Sequence, residues 1–210
     1  MRIPYVLFGL MMTSAAVAQE RPQLLPQRDV VVTYAVNPEA NSGPQQSQEI
    51  AFSVAAQTFR MMGWQGGADA RSGAANEPFF LYDLRNRTET IVAPGHRVRA
   101  TRRLDSADGL PWNPVLRGQR LQTDTVAGVA CTDWRMTHPT RGQPPPGGGT
   151  FFPPHDMCFT TDGVILRRRD ENGRVLWLAT SVSFSPQDLR QFQAPADYRQ
   201  VTQQQLMEMF

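Results

Sequence analysis

From residue 29 onward, apolar and polar side chains alternate with a period of two, and the alternation breaks at clusters of Gly, Pro, Asn and Asp. Asp29-Val30-Val31-Val32-Thr33-Tyr34-Ala35-Val36 is β-branched and aromatic, a composition that suits a pleated, half-buried surface. Asn41-Ser42-Gly43-Pro44 is a turn cluster. Beyond it, Glu49 to Val54 puts Ile50, Phe52 and Val54 on one strand face, and Thr58 to Met62 repeats the theme with Phe59 and Met61. The Gly- and Ala-rich stretch Gly63 to Glu77 reads as a mobile loop. Phe79 to Leu84 and Thr88 to Ala93 read as two strands, and Arg85-Asn86-Arg87 as a tight hairpin in which Asn86 takes a positive φ. His96 to Leu104 is a further strand, dense in Arg on one side, and Asp108-Gly109 and Pro111-Trp112-Asn113-Pro114 interrupt the pattern.

The second half repeats this organisation. Arg120 to Val126 and Val129 to Thr137 flank Ala127-Gly128, and Met157 to Thr160 and Val164 to Arg169 flank Thr161-Asp162-Gly163. Pro139 to Pro154 contains Pro144-Pro145-Pro146-Gly147-Gly148-Gly149, which fits neither a helix nor a central strand. Asn172-Gly173 is a strong hairpin signal. Arg174 to Phe184 is apolar on both faces, so it is expected to be the most buried strand. Helix signals come late: Ser185-Pro186-Gln187-Asp188 reads as an N-cap with Pro at the first helical position, and Thr202-Gln203-Gln204-Gln205 as a capping box. Short turns between successive strands imply antiparallel neighbours. The pattern predicts a mainly β (α+β) fold, a curved antiparallel half-barrel sheet with one or two short helices packed against it.

The N-terminal residues follow a different logic. Arg2 gives a positive zone, Val6 to Met12 an apolar one, and Ala16-Val17-Ala18 the small residues of a cleavage site, so residues 1–18 are expected to be a signal peptide cut after Ala18. The apolar zone is too short for a span, and no later stretch is apolar for long enough, so an integral membrane protein is not expected. Residues 19–28 read as a flexible lead and 29–210 as one domain. All 21 basic residues are Arg. That bias fits a GC-rich bacterium, in which export points to the periplasm. A formal net charge of +2 argues against a polyanion specialist, so no nucleic-acid partner is expected. Cys131 and Cys158 lack Cys-x-x-Cys spacing and, in an oxidising compartment, are expected to form a disulfide between neighbouring strands beneath the Pro/Gly loop.

Chemistry-bearing motifs are missing: no Gly-x-Ser-x-Gly, no Ser-x-x-Lys, no His-Glu-x-x-His. His96, His138 and His155 have no partner at helical spacing, and the donors near Cys158 fall short of a zinc set. No catalytic residue, metal or cofactor is therefore expected, and the protein reads as a non-enzyme. The Arg groups Arg97, Arg99, Arg102, Arg103 and Arg167-Arg168-Arg169 read as solvated strand faces that discourage edge pairing, with anionic headgroups as the alternative. The terminal Phe210 does not make a membrane barrel, because Gln203-Gln204-Gln205 and Glu208 break the apolar alternation.

One stretch carries a resemblance. Val126-Ala127-Gly128-Val129-Ala130-Cys131-Thr132-Asp133-Trp134, followed by Cys158-Phe159-Thr160-Thr161-Asp162-Gly163-Val164-Ile165-Leu166, resembles a bacterial envelope family of unknown function that is similar in outline to the LolA/LolB lipoprotein-carrier superfamily. Arg28 to Tyr34 resembles its first strand, and Pro195-Ala196-Asp197-Tyr198 resembles its C-terminal end. The resemblance implies a half-barrel sheet closed by helices over an apolar cavity. It covers about half of the chain after residue 18, and no site residue transfers from it.

Two expectations follow. The first is an exported, non-enzymatic periplasmic binding module that takes a lipid or lipoprotein acyl chain on its concave sheet, with Ile50, Phe52, Val54, Phe59, Met61, Tyr82 and Trp134 as the candidate ligand-binding side chains. Met is suited to repacking around varied ligands. The second is an envelope structural or protein-interaction module without a cavity, contacting an envelope protein through the loop Arg141 to Pro154. A hydrolase with a spatially assembled site is a third, weaker expectation.

Overall fold

The computed structural model describes residues 21–40, 46–63, 76–104, 116–137 and 154–210. The expected signal segment, the turn cluster 41–44, most of the loop 63–77, the interruption at 108–114 and nearly all of the Pro/Gly loop, with His138, lie outside the described residues. Two antiparallel meanders build one sheet. The first contains β1 (Val30–Val36), β2 (Gln46–Ser53), β3 (Thr58–Met62), β4 (Phe79–Asp83), β5 (Thr88–Ala93) and β6 (Val98–Arg103). The second contains β7 (Arg117–Val126), β8 (Val129–Thr137), β9 (His155–Phe159), β10 (Ile165–Arg169) and β11 (Val175–Ser183).

Antiparallel pairing of β1 with β11 fuses the meanders. A two-residue strand, β12 (Arg199–Gln200), adds parallel to β6. The order β12-β6-β5-β4-β3-β2-β1-β11-β10-β9-β8-β7 is open, with β12 and β7 at its two ends. The curved, mainly antiparallel sheet expected from the alternation is therefore the observed fold. Pairing of β1 with β11 joins residues about 140 to 150 positions apart, so no local turn signal announced it.

Directly opposed residues share a sheet face. Phe52 stands opposite Val30 and Phe59, Ile50 opposite Val32 and Met61, and Phe59 opposite Tyr82. These side chains, with Ile91, Val98 and Ala100, belong to the main core, apart from Met61, which packs half-buried against it. Of the two late helix signals, the capping box is fully formed: Thr202 accepts from Gln205 N–H, Gln205 reaches back to Thr202 N–H, and α1 (Gln203–Met207) drops Leu206 into the main core. The other is displaced. Asp188, not Ser185, caps a single 3-10 turn at Leu189–Phe192, because its carboxylate accepts the Arg190 N–H.

Two further local expectations change. In the hairpin between β4 and β5, Arg87 rather than Asn86 takes the left-handed conformation (φ 54°). Asp83 captures both the main-chain and side-chain N–H of Asn86, which moves the αL position one residue on. β11 is not the most buried strand: Val175 to Leu178 are half-buried, whereas all five residues of β9 are buried. The backbone of β11 is paired on both sides, but the sheet is open above its side chains.

The segment at residues 21–28 lies against the sheet. Gln27 N–H donates to the Asp162 carbonyl (2.9 Å), and Arg28 pairs with the Asp162 carboxylate (2.7 Å) while stacking 3.7 Å over the Phe184 ring. Asp29 then ties β1 to the chain just beyond both of its neighbours, β2 and β11, accepting from Val54 N–H and Gln187 N–H at 2.8 Å each.

Candidate functional site

The described residues contain an apolar cleft at the seam between the two meanders. Val30, Val32 and Tyr34 of β1, Ile50 and Phe52 of β2 and Phe59 of β3 form one wall; Trp177 of β11 and the turn at Gly163–Ile165 form the other. Leu24 and Pro26 from the N-terminal segment close it. The cavity volume is about 30 Å³, room for one or two waters. Ligand pockets usually start near ~300 Å³.

Tyr34 sets the geometry of the seam. Its ring lies on the face of small Ala179, tilts against Trp177 at 5.9 Å between centroids, and donates its hydroxyl to the Ile165 carbonyl at 2.5 Å. Burial pushes its phenol well above the ordinary value, so it stays neutral. Along the same face, register runs from Val36 through Trp177, Arg168 and Met157 to Trp134. Arg168 lies 5.4 Å over the Trp177 ring. Burial lowers its pKa, its Nε has no hydrogen-bond partner, and no carboxylate pairs with it among the described residues.

Three of the seven predicted ligand-binding side chains, Ile50, Phe52 and Phe59, line the cleft. Met61 and Tyr82 continue the same face away from it, Met61 half-buried and Tyr82 buried in the core. Val54 lies just past the end of β2, half-buried against the core. Trp134 stands apart, in a second cluster with Met136, Met157, Phe159 and Ile165, covered by Leu24 and Leu116. Val30, Val32, Tyr34 and Trp177 lie in stretches the sequence marks as strands, the β-branched Asp29 to Val36 and the doubly apolar Arg174 to Phe184, but neither pattern singles them out as site residues. What both lacked was the pairing that brings them together. Leu24 and Pro26 were hidden because two prolines in a short polar stretch read as a flexible lead.

The opposite face of the second meander carries charge. Arg167 donates to Asp124 at 2.7 Å and to Asp133 at 2.8 Å, and Arg169 reaches Asp133 at 3.4 Å. Asp133 is almost fully buried. The solvated-face reading of Arg167-Arg168-Arg169 is thus corrected: carboxylates from β7 and β8 draw Arg167 inward, and Trp177 covers Arg168. Arg102 likewise pairs with Glu89. Cys131 and Cys158 are bonded and tie β8 to β9 on the face of Asp133 and Arg167. Among the described residues, no group of three or more His, Cys, Asp or Glu is placed to hold a metal ion, and no helix is long and apolar enough to cross a membrane.

Comparison with protein-family models and with curated proteins finds no match. Solved structures do resemble the chain. A conserved protein from Thermus thermophilus is 12% identical, with a TM-score of 0.50 over 84% of this chain and 91% of that one. MucB in its complex with MucA from Pseudomonas aeruginosa is 17% identical, with a TM-score of 0.47 over 84% of this chain and 59% of that one. A LolA superfamily protein from Nitrosomonas europaea is 12% identical, with a TM-score of 0.39 over 81% of this chain and 92% of that one. At these identities the likeness concerns the fold alone.

Proposed function

We propose that this chain is an exported, periplasmic, non-enzymatic binding module whose concave sheet receives one apolar chain, such as the acyl chain of a lipid or lipoprotein. The observation that carries the reading is the cleft itself: Val32, Ile50, Phe52, Phe59 and Trp177 line one small apolar gap under Leu24 and Pro26. A gap of about 30 Å³ holds no acyl chain as it stands, so occupancy requires a covering segment to move. The test is native mass spectrometry on protein isolated gently from a periplasmic extract, with lipid extraction of the same sample. Stoichiometric lipid supports the reading, and a bare mass in every preparation sinks it.

A second reading, an envelope protein-interaction module, is favoured by β7. This ten-residue strand ends the sheet, is mostly exposed and displays Leu121, so its outer edge suits pairing with an extended partner segment. Crosslinking in envelope fractions separates the two: a protein adduct through β7 without lipid favours the second.

A further inference from the structure

We propose that residues 22–26 are a built-in occupant of an apolar trough, and that the ligand which displaces them is a single-chain anionic amphiphile of the fatty-acid type, its head group on Arg168. The proposal rests on the apolar-ligand reading above and specifies where that ligand lies.

Pro22 packs where β7 and β8 meet, so close that a Cβ on Gly118 would stand 2.8 Å from its Cδ. Leu24 covers the cluster of Trp134, Met157, Phe159 and Ile165. Pro26 is buried in the cleft beside Val32 and Phe52. The segment bends at Leu25, carries no charge between Pro22 and Gln27, and lays apolar side chains along the trough. An acyl chain is likewise uncharged, narrow and able to bend. The tie to the sheet is thin: one main-chain hydrogen bond among the described residues, Gln27 to Asp162, with the Arg28–Asp162 ion pair beside it. Elsewhere neighbouring strands are held by main-chain ladders, so this is the cover most readily exchanged.

The rim supplies polarity. Arg168 shares the trough face with Trp177 and Met157, stacks over Trp177 and has no acidic partner among the described residues. A half-buried, unpaired guanidinium beside an apolar channel favours a carboxylate end over a neutral one. Its lowered pKa agrees with a site shielded from water.

The test uses the full chain and dansyl-undecanoic acid, read by energy transfer from the chain's four tryptophans, with dansyl-undecanol as the neutral control. Leu24→Ser with Pro26→Ser weakens the occupant and is expected to tighten binding about tenfold, because more of the protein is then competent. A synthetic peptide of residues 21–27 should compete with the probe in that variant. Arg168→Gln should weaken the acid about tenfold and leave the alcohol nearly unchanged. If the wild-type chain binds the probe but the strap variant binds no tighter and the peptide fails to compete, the proposal falls while the apolar-ligand reading stands. If acid and alcohol weaken equally in Arg168→Gln, the head-group assignment is overturned. If neither protein binds either probe, both readings fail, and the partner edge at β7 becomes the site to pursue.

Discussion

Tyr34 reaches across β11 to donate its hydroxyl to the main-chain carbonyl of Ile165, 131 residues away, at 2.5 Å. Small Ala179 opposite Tyr34 makes room for the ring. The bond joins the first meander to the second across the intervening β11, and the β10 carbonyl it serves lies next to a register shift, between Ile165 and Arg167. A carbonyl displaced from the ladder there gains its partner from a side chain.

Replacing Tyr34 with Phe keeps the ring and removes the donor. The variant should lose about 1–2 kcal/mol, the usual consequence of leaving a buried acceptor unmet, measured as a lower urea midpoint at unchanged slope. The pH response carries a second signature. Burial raises the folded phenol above its unfolded value, so its contribution is complete below the unfolded value near ~10 and is lost as pH rises towards the folded one. Wild-type stability should therefore fall above about pH 10 more steeply than that of the Phe variant. Parallel alkaline limbs would show that the phenol is not shielded.

Asp133 is the most buried member of the charged cluster and faces both Arg167 and Arg169. Asp133→Asn leaves Arg167 buried with only Asp124 as a carboxylate partner and should cost about 3 kcal/mol. Asp124 behaves differently, because it is only half-buried. The Arg167 hydrogen bond, then the Thr125 N–H, hold its carboxyl below the ordinary value. A depressed carboxylate stabilises above its unfolded pKa, and that contribution disappears as pH falls through the folded one. Asp124→Asn should thus be milder than Asp133→Asn at neutral pH and should flatten the acid limb below about pH 4. Equal losses in the two variants at neutral pH would contradict the burial difference.

Cys131 and Cys158 close a loop of 27 residues between adjacent strands. Changing both to Ala should lower stability by about 3–4 kcal/mol if chain entropy dominates. Thermal unfolding with and without reductant reads this out: reductant should shift the wild-type chain towards the double variant and leave the variant unmoved.

Strand positions were legible because alternation is local. β3, β5 and β8 fall where the pattern put them, and Asn172-Gly173 turns as its composition requires, with Gly173 at φ 82°. The Thr202 capping box was legible for the same reason. Whatever depended on a distant strand was not. Arg167 looked solvated until Asp124 and Asp133 arrived from β7 and β8, and Trp134, expected with Phe52 among the ligand-binding side chains, lies in a separate cluster. The disulfide was read from compartment and cysteine count, which need no geometry. The candidate site was half legible: its walls alternate, but its cover is an irregular segment whose place depends on what it touches.

That cover can be weighed with two glycines. Gly163 and Gly173 both end hairpin turns in the left-handed region, at φ 85° and 82°. A methyl group at Gly173 meets nothing within 4 Å, whereas at Gly163 it would run into the Leu25 carbonyl. Gly173→Ala should therefore cost only the conformational penalty of a left-handed residue, about 1–2 kcal/mol. Gly163→Ala carries the same penalty and must also push the N-terminal segment off its seat. Its excess cost over Gly173→Ala measures how firmly residues 22–26 are held. In the background of Leu24→Ser with Pro26→Ser, where the segment is already loosened, that excess should shrink towards zero, as coupling between touching sites demands. An excess that survives intact in that background would mean that Leu25 is fixed independently of its neighbours, and the segment would then be part of the core and not its cover.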